Sequence, residues 1–241
     1  MKKVIINKEI FKIIPELNVG VLVLKNVNEC KKMTEEELKE IEKILNDANT
    51  IAKKYVPNEV ISENEVVKIW RDIYSRFPTK KGTRCSLENL LKRVLHNNPV
   101  GSILPSVDIT NAISLKYAFP IGAEDYDKID NALCLDIMNG DEKFIPIGST
   151  ENESPLKSEI AYRDDNGVVC RCLNWRDGIR TEITDETNTE IIIMECVEPN
   201  RLEELQSALN ELEELMTKYL DAKVVSNVIL NNNDNEIDIK I

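Results

Sequence analysis

The sequence predicts an α+β fold, in which helices and strands occur in separate blocks rather than in strict alternation. Helical periodicity dominates the first half of the 241-residue chain. Short apolar runs bounded by turn residues dominate the second half, before a long amphipathic helix. We therefore expect one domain over residues 1–241, with helices covering a β-rich half that contains hairpins and mixed or antiparallel sheets.

The first predicted elements are a buried strand and a capped helix. The run VGVLVLKNV, residues 19–27, is apolar over most of its length and predicts the strand. Thr34 and Glu37 have the spacing of a capping box at the start of the helix. The apolar face of this helix is predicted to consist of Leu38, Ile41, Leu45, Ala48 and Ile51.

Three more helices are predicted before residue 120. A second capping box, at Ser62 and Glu65, starts a helix that ends near Phe77 and buries Trp70. The next helix starts at residue 86, with Ser86 as its N-cap. The last runs from residue 105 to residue 117, before a proline at 120.

The second half predicts hairpins, a buried strand and a final helix. Asn-Gly pairs at 139–140 and 166–167, each between apolar runs, predict two hairpins. TEIIIMEC, 189–196, predicts a buried strand. The segment 199–220 predicts a helix with heptad-spaced leucines, which is too short for a stable coiled coil and should pack on the chain's own sheet. The tail, 222–241, predicts a last hairpin.

The net charge of −12 argues against binding to long double-stranded DNA, which requires a broad basic surface. Residues 65–100 nevertheless carry eight basic and three acidic side chains, a local charge of +5. This stretch is either a solvated helical face or a patch for a phosphate backbone. No apolar run is long enough to span a bilayer and no signal peptide is recognisable, so we expect a cytoplasmic protein.

The cysteine pattern argues against a metal site. The six cysteines contain no CxxC pair, and His96 is the only histidine. We therefore expect reduced cysteines with no metal or cofactor. The cysteines are Cys30, Cys85, Cys134, Cys170, Cys172 and Cys196.

Three segments, taken together and in order, resemble the free-standing B3/B4-domain proteins. These are similar to the B3/B4 domain of the β subunit of bacterial phenylalanyl-tRNA synthetase. The resemblance covers roughly residues 60–197, leaving outside it the N-terminal strand and helix, 19–56, and the C-terminal helix and hairpin, 199–241. The segments are WRDIYSRFPTKKGTRCSLENLLKRVL, LPSVDITNAISLKYAFPIGAEDYD and GVVCRCLNWRDGIRTEIT.

The resemblance implies an editing site, because in the synthetase this domain hydrolyses the ester of tyrosine wrongly attached to phenylalanine tRNA. We accordingly expect a stand-alone hydrolase that acts on the aminoacylated 3′ end of misacylated tRNA, by attack of water on the ester and without a cofactor. Gly122 stands where the synthetase usually has a histidine, and residues 174–178 replace its glycine-rich loop. These departures favour the alternative, a non-catalytic module that binds an amino acid, another small ligand, RNA or a protein partner.

Candidate residues follow from the matched segments. Asn111, Glu159 and Asp177 are candidates for orienting the attacking water. Alternatively, residues 108–111 cap their helix, the arginines form surface ion pairs, and Trp175 covers the end of a sheet instead of stacking on a base. No oligomeric state is predicted. The candidate substrate-binding residues are Arg71, Arg84, Asp108, Thr110, Asn111, Gly122, Asn174, Trp175, Arg176, Arg180 and Thr181.

Overall fold

The computed structural model describes residues 2–27 and 33–241, and over these residues ten strands form two sheets with six α-helices packed against them. The predicted α+β fold is therefore confirmed. No helix among the described residues is long and apolar enough to cross a membrane.

The larger sheet has six strands in the order β10-β1-β4-β5-β6-β7, and the smaller sheet has four in the order β3-β8-β2-β9. Strand β1 pairs in parallel with β4, and the other strand pairs are antiparallel. The strands are β1 (Lys2–Ile6), β2 (Asn18–Lys25), β3 (Ile121–Asp125), β4 (Ala132–Ile137), β5 (Ile160–Asp164), β6 (Gly167–Arg171), β7 (Arg176–Asp177), β8 (Thr189–Cys196), β9 (Lys223–Leu230) and β10 (Glu236–Ile239).

All five predicted helices are present, as α2 to α6, and α1 is an additional short helix. The capping box of Thr34 and Glu37 forms as expected, and Trp70 is buried. The helices are α1 (Ile10–Ile13), α2 (Glu35–Ala52), α3 (Glu65–Ser75), α4 (Ser86–Leu95), α5 (Pro105–Tyr117) and α6 (Leu202–Leu220). As predicted, α6 packs on the smaller sheet of its own chain, where Leu205, Leu209 and Leu212 are buried.

The smaller sheet is the middle layer of the molecule. Along β8, Ile191 and Ile193 join the apolar cluster that includes the larger sheet, whereas Ile192 and Met194 join the cluster that includes α6. This alternation is the period of two that a strand imposes on its side chains. Because both faces of β8 are covered, every residue of this strand is buried.

Three details of the predicted helices were wrong. Leu38 and Ile51 of α2 are exposed, because the buried face of the helix turns towards Asn49 and Ala52. Ser62 does not cap α3, since it lies in a short 3-10 turn that precedes Asn64, the N-cap. The N-cap of α4 is Cys85, whose Sγ accepts a hydrogen bond from the Glu88 N–H, so Ser86 is already helical.

Two predicted hairpins were also wrong. After Asn139-Gly140 no strand pairs back with β4, because the Glu142 carboxylate accepts the N–H groups of both residues, and Pro146 forms only an isolated bridge with Gly178. Strand β4 pairs with β5 and β1 instead. In the tail, β9 pairs with β2 in the smaller sheet and β10 with β1 in the larger sheet, so their turn joins two sheets.

A candidate pocket between the two sheets

A small pocket of about 10 Å³, room for about one water molecule, lies between the inner faces of the two sheets. Apolar walls come from Leu133, Val169, Leu173 and Ile193. Three carboxyl groups, those of Glu124, Asp177 and Glu195, line the same space. The pocket therefore combines an apolar lining with a concentration of acidic groups, and buried acidic groups of this kind mark a candidate functional site.

Two of these carboxyl groups lie on the smaller sheet. The alternation of side chains along its strands turns both of them towards the pocket. Gly122 and Glu124 of β3 pair with Ile193 and Ile191 of β8, so these residues share the inner face. Glu195 lies two residues beyond Ile193 and points the same way. A Cβ atom placed on Gly122 would have no neighbour within 4 Å, so the glycine leaves open space at the pocket.

The third carboxyl group is positioned by a tight turn. Between β6 and β7, Cys172 and Leu173 both have left-handed backbone conformations, with φ angles of 48° and 61°. Such conformations are costly for residues other than glycine and often occur at functional sites. The turn brings Asn174 to the pocket and returns the chain so that Asp177 pairs with Cys170.

Glu195 is held by a chain of buried hydrogen bonds. The Tyr162 hydroxyl donates to its Oε1 at 3.0 Å, and Nδ2 of Asn174 donates to its Oε2 at 2.8 Å. Oδ1 of Asn174 in turn accepts a hydrogen bond from the Tyr74 hydroxyl at 3.2 Å. Burial raises the pKa of Glu195 to about 8, against the opposing effect of these two donors.

Glu124 has a different environment. Its side chain is 4% exposed, and neither carboxylate oxygen has a hydrogen-bond partner among the described residues. Burial and the nearby Asp177 carboxylate raise the pKa of Glu124 well above its usual range, while the Thr181 hydroxyl and the charge of Arg180 oppose this shift. Burial also raises the pKa of Asp177. Each of the three groups is thus easier to protonate than an exposed carboxylate.

Of the residues predicted from sequence, Gly122, Asn174 and Asp177 line the pocket. Thr181 is fully buried beside Glu124. Arg180 lies close enough to influence Glu124, but its guanidinium donates to Oδ1 of Asp164 at 2.6 Å.

The predicted residues on α5 and around α4 lie outside the pocket lining. Asp108 accepts a hydrogen bond from the Ile103 N–H at 2.7 Å, and the Thr110 hydroxyl donates to the Ser106 carbonyl at 2.8 Å. These contacts order the start of α5, on which Asn111 is half-buried. Arg71 forms two hydrogen bonds with the buried carboxylate of Glu88, and the Arg84 guanidinium donates to the Gly82 carbonyl.

Glu159 and Trp175 belong to a second buried cluster. Glu159 and Arg171 are both fully buried, and their two hydrogen bonds measure 2.8 and 2.6 Å. The Trp175 ring lies between the guanidinium groups of Arg171 and Arg176, at 5.5 and 5.6 Å from its centroid. Arg176 itself donates to a carboxylate oxygen of Glu153 at 3.2 Å.

Sequence reasoning missed Glu124, Glu195 and Tyr162 as pocket residues. One signal was present, because Glu195 directly follows the apolar run 191–194 in a strand predicted to be buried, and a carboxyl group is rarely buried without a specific reason. Glu124 lies within FPIGAED, a segment that the resemblance had already singled out. Tyr162 gave no comparable signal, because a tyrosine in a strand is common in an ordinary core.

The described part of the chain contains no metal-ligand cluster. No group of three or more His, Cys, Asp or Glu side chains there is arranged to hold a metal ion. Five cysteines are free thiols, and Cys30 lies outside the described residues.

Comparison with known proteins identifies the family. The model of the B3/4 domain matches residues 69–229, from within α3 to within β9, and the chain belongs to that family. A search of curated proteins found no significant match.

Among solved structures, the chain is similar to an N-terminal fragment of the phenylalanyl-tRNA synthetase β-subunit from Pyrococcus horikoshii. The TM-score is 0.49 and the identity 13%, and the alignment covers 92% of this chain and 49% of that chain. This chain therefore matches about half the length of that structure.

Proposed function

We propose that this protein is an editing-type hydrolase that acts on the aminoacylated 3′ end of misacylated tRNA, and that the pocket between the sheets widens to admit the aminoacyl group. The observation that carries the proposal is that segments resembling the synthetase editing domain converge on this pocket. FPIGAED contributes Gly122 and Glu124, and LNWRDG contributes Leu173, Asn174 and Asp177.

The proposed chemistry is addition of water to the ester carbonyl. The ester C–O bond breaks, the amino acid leaves as its carboxylate, and the ribose hydroxyl of the tRNA is regenerated, so no co-reactant is needed. Of the three catalytic candidates, only Asp177 lines the pocket. Its raised pKa makes the carboxylate a stronger base than an exposed aspartate, which suits a group that orients water.

Basic side chains near α4 are proposed to contact the tRNA phosphates. Four of the eight basic residues between 65 and 100 are in ion pairs with described acidic residues. The other four, Lys81, Arg84, Lys92 and Arg93, form no ion pair within the described part of the chain. The backbone N–H of Ser86 donates to the Asn174 carbonyl at 3.0 Å, so the loop that carries Lys81 and Arg84 adjoins the pocket turn.

The alternative is a binding module without catalysis. The raised pKa of Glu195, about 8, favours it, because a carboxyl group that is protonated at neutral pH is a poor general base. In that case the same pocket would hold an amino acid or another small ligand without turnover.

Deacylation of a panel of correctly and wrongly charged aminoacyl-tRNAs tests the proposal. We expect selective hydrolysis of a mischarged species and a loss of about 10²-fold or more in rate for Asp177→Asn. Asp185→Asn, an exposed aspartate of the same size and charge, is the matched control and should retain the rate. Flat traces over the whole panel would reject hydrolysis in favour of the binding module.

Binding of tRNA should weaken as salt increases. If Lys81 and Arg84 each contact a phosphate, the Lys81→Ala/Arg84→Ala variant should reduce the slope of log K against log salt by about 1 to 2. The slope is measured by titration at several salt concentrations between about 50 and about 200 mM. Binding that does not depend on salt, or no tRNA binding at all, would contradict these contacts.

A further inference from the structure

A strained turn closes one wall of the pocket. Residues 172–175 connect β6 to β7, and the first two of them, Cys172 and Leu173, both have left-handed backbone conformations. Neither residue is a glycine, so each conformation is disfavoured by contact between the Cβ atom and the following carbonyl oxygen. Strain of this kind persists only where the surrounding structure holds it, and it is released when those contacts break.

The side chain of Leu173 fills the space behind this turn. It is fully buried and lines the cavity, which has room for about one water molecule. The other apolar side chains around the cavity, those of Leu133, Val169 and Ile193, lie on β4, β6 and β8. Each of these strands is paired on both sides, so moving one of them would break two rows of backbone hydrogen bonds. Among the described lining residues, Leu173 and Asn174 alone lie outside the strands, so the turn is the part of the wall that moves at least cost.

Both ends of the turn are fixed. Before it, the Arg171 guanidinium forms two hydrogen bonds with the buried carboxylate of Glu159. After it, the Gly178 N–H donates to the Val169 carbonyl at 2.7 Å. Motion of the turn between these two points leaves β6, β7 and the Asp177 carboxyl group in place.

Asn174 holds the turn in its closed position. Its Nδ2 atom donates to Glu195 at 2.8 Å, and its Oδ1 atom accepts from the Tyr74 hydroxyl at 3.2 Å. Its backbone carbonyl accepts from the Ser86 N–H at 3.0 Å. Burial raises the pKa of Glu195 to about 8, so Asn174 is bonded to a neutral acid at neutral pH, and its release exposes no buried charge.

We propose that residues 172–175 form a gate over the pocket, and that the gate moves outward with Leu173 so that an aliphatic side chain of similar size takes the place of the leucine side chain. As a statement about the substrate, this inference rests on the proposed function, and it makes Leu173 the residue that sets the size of the aminoacyl group admitted. The substrate class follows from the walls, because Leu133, Val169 and Ile193 offer apolar surface to the group that replaces Leu173. An aliphatic group regains the burial that the leucine gives up.

Amide hydrogen exchange of the full-length protein measures opening of the gate. The Leu173 N–H donates to the Ile160 carbonyl at 3.2 Å, a bond that outward motion breaks. Asn174→Ala removes the side-chain contacts to Glu195 and Tyr74. It should speed exchange of the Leu173 amide at least about tenfold.

Asn49→Ala is the matched control. Asn49 and Asn174 are 6% and 5% exposed, and the Asn49 side chain likewise both donates and accepts hydrogen bonds. It lies on α2, outside the pocket lining, so its loss should leave exchange at Leu173 at the parent rate. Tyr74→Phe removes only the hydroxyl that donates to Asn174 and should give a smaller increase, about threefold. Urea unfolding of each variant verifies its fold, and Tyr74→Phe carries the test if Asn174→Ala does not fold.

Cyclopentane, an aliphatic ring close in size to a leucine side chain, tests what the open gate admits. Its affinity is measured by NMR titration of the ¹⁵N-labelled protein, following the amides of β4 and β8. If the gate must open before binding, the apparent affinity is proportional to the open fraction. Asn174→Ala should therefore bind cyclopentane at least about tenfold more tightly than the parent, whereas Asn49→Ala should bind it like the parent.

The outcomes separate the gate from the proposed function. Exchange at Leu173 that is equally fast in Asn174→Ala and Asn49→Ala would overturn the gate, and so would a cyclopentane affinity that is unchanged or absent in Asn174→Ala. A gate that opens and admits cyclopentane, in a protein that deacylates no tRNA of the panel, would reject the hydrolase and leave the gate standing. Selective deacylation by a protein whose gate fails these tests would do the reverse.

Discussion

The buried carboxyl group of Glu195 should make the free energy of unfolding depend on pH. Its folded-state pKa of about 8 lies above the ordinary value of 4.5, so the folded protein holds this proton more tightly than the unfolded chain does. The stabilisation is fully present below pH 4.5 and is lost as the pH rises through about 8. The free energy of unfolding should therefore fall over this window, with a slope approaching about 1.4 kcal/mol per pH unit.

The substitution Glu195→Gln should flatten that slope, as measured by urea unfolding at several pH values. A glutamine can accept from Asn174 through its oxygen and donate to the Tyr162 oxygen through its nitrogen, so it mimics the protonated acid. The exposed Glu186→Gln is the control and should keep the parent slope. Identical slopes in the parent and Glu195→Gln would show that this group does not titrate as proposed.

The fully buried pair of Glu159 and Arg171 makes a second residue-scale prediction. Glu159→Gln leaves the guanidinium charge uncompensated in the interior and should lower the free energy of unfolding by about 3–5 kcal/mol. Denaturation by urea measures the loss. The exposed pair of Lys3 and Glu236 provides the comparison, since Glu236→Gln should cost at most about 1 kcal/mol.

Replacing both partners distinguishes an uncompensated charge from lost packing. The double variant Glu159→Met/Arg171→Met should be more stable than Glu159→Gln alone, because no charge then stays buried. A double variant less stable than the single one would mean that packing around Trp175 and Phe144 dominates instead.

At the scale of elements, the β5–β6 hairpin depends on one glycine. Gly167 has a φ of +135°, and a Cβ atom there would lie 2.5 Å from the carbonyl oxygen of Lys143. Gly167→Ala should therefore lower the free energy of unfolding by about 1–3 kcal/mol or more. Gly101→Ala, where a Cβ atom would meet nothing within 4 Å, should change it by less than about 1 kcal/mol in the same urea experiment.

The same hairpin illustrates what local sequence can predict. An Asn-Gly pair at 166–167 and one at 139–140 look equivalent along the chain, yet only the first joins two paired strands. At the second, the Glu142 carboxylate accepts the backbone N–H groups of both residues, and Pro146 forms only an isolated bridge with Gly178. Turn residues thus predict where the chain reverses, whereas pairing is decided by strands that may be distant in sequence.

At the scale of the whole molecule, the sequence predicted the fold class, four of the five longer helices to within a few residues at each end, and α6's packing. It did not predict β1, or the assignment of β9 and β10 to different sheets. For the pocket, it identified the β6–β7 turn through Asn174 and Asp177 but missed Glu124 and Glu195. Glu124 and Glu195 lie on the paired strands β3 and β8, and they meet Asn174 and Asp177 only when the two sheets pack face to face, which is a contact that no local periodicity encodes.

The position of β1 has a consequence for synthesis on the ribosome. This strand, at the start of the chain, pairs with β4 on one side and with β10 on the other. The larger sheet therefore cannot be completed until residues near 239 have left the exit tunnel. During translation β1 keeps an open edge, and such edges promote aggregation of nascent chains, so chaperone demand should be greatest before the final strand emerges.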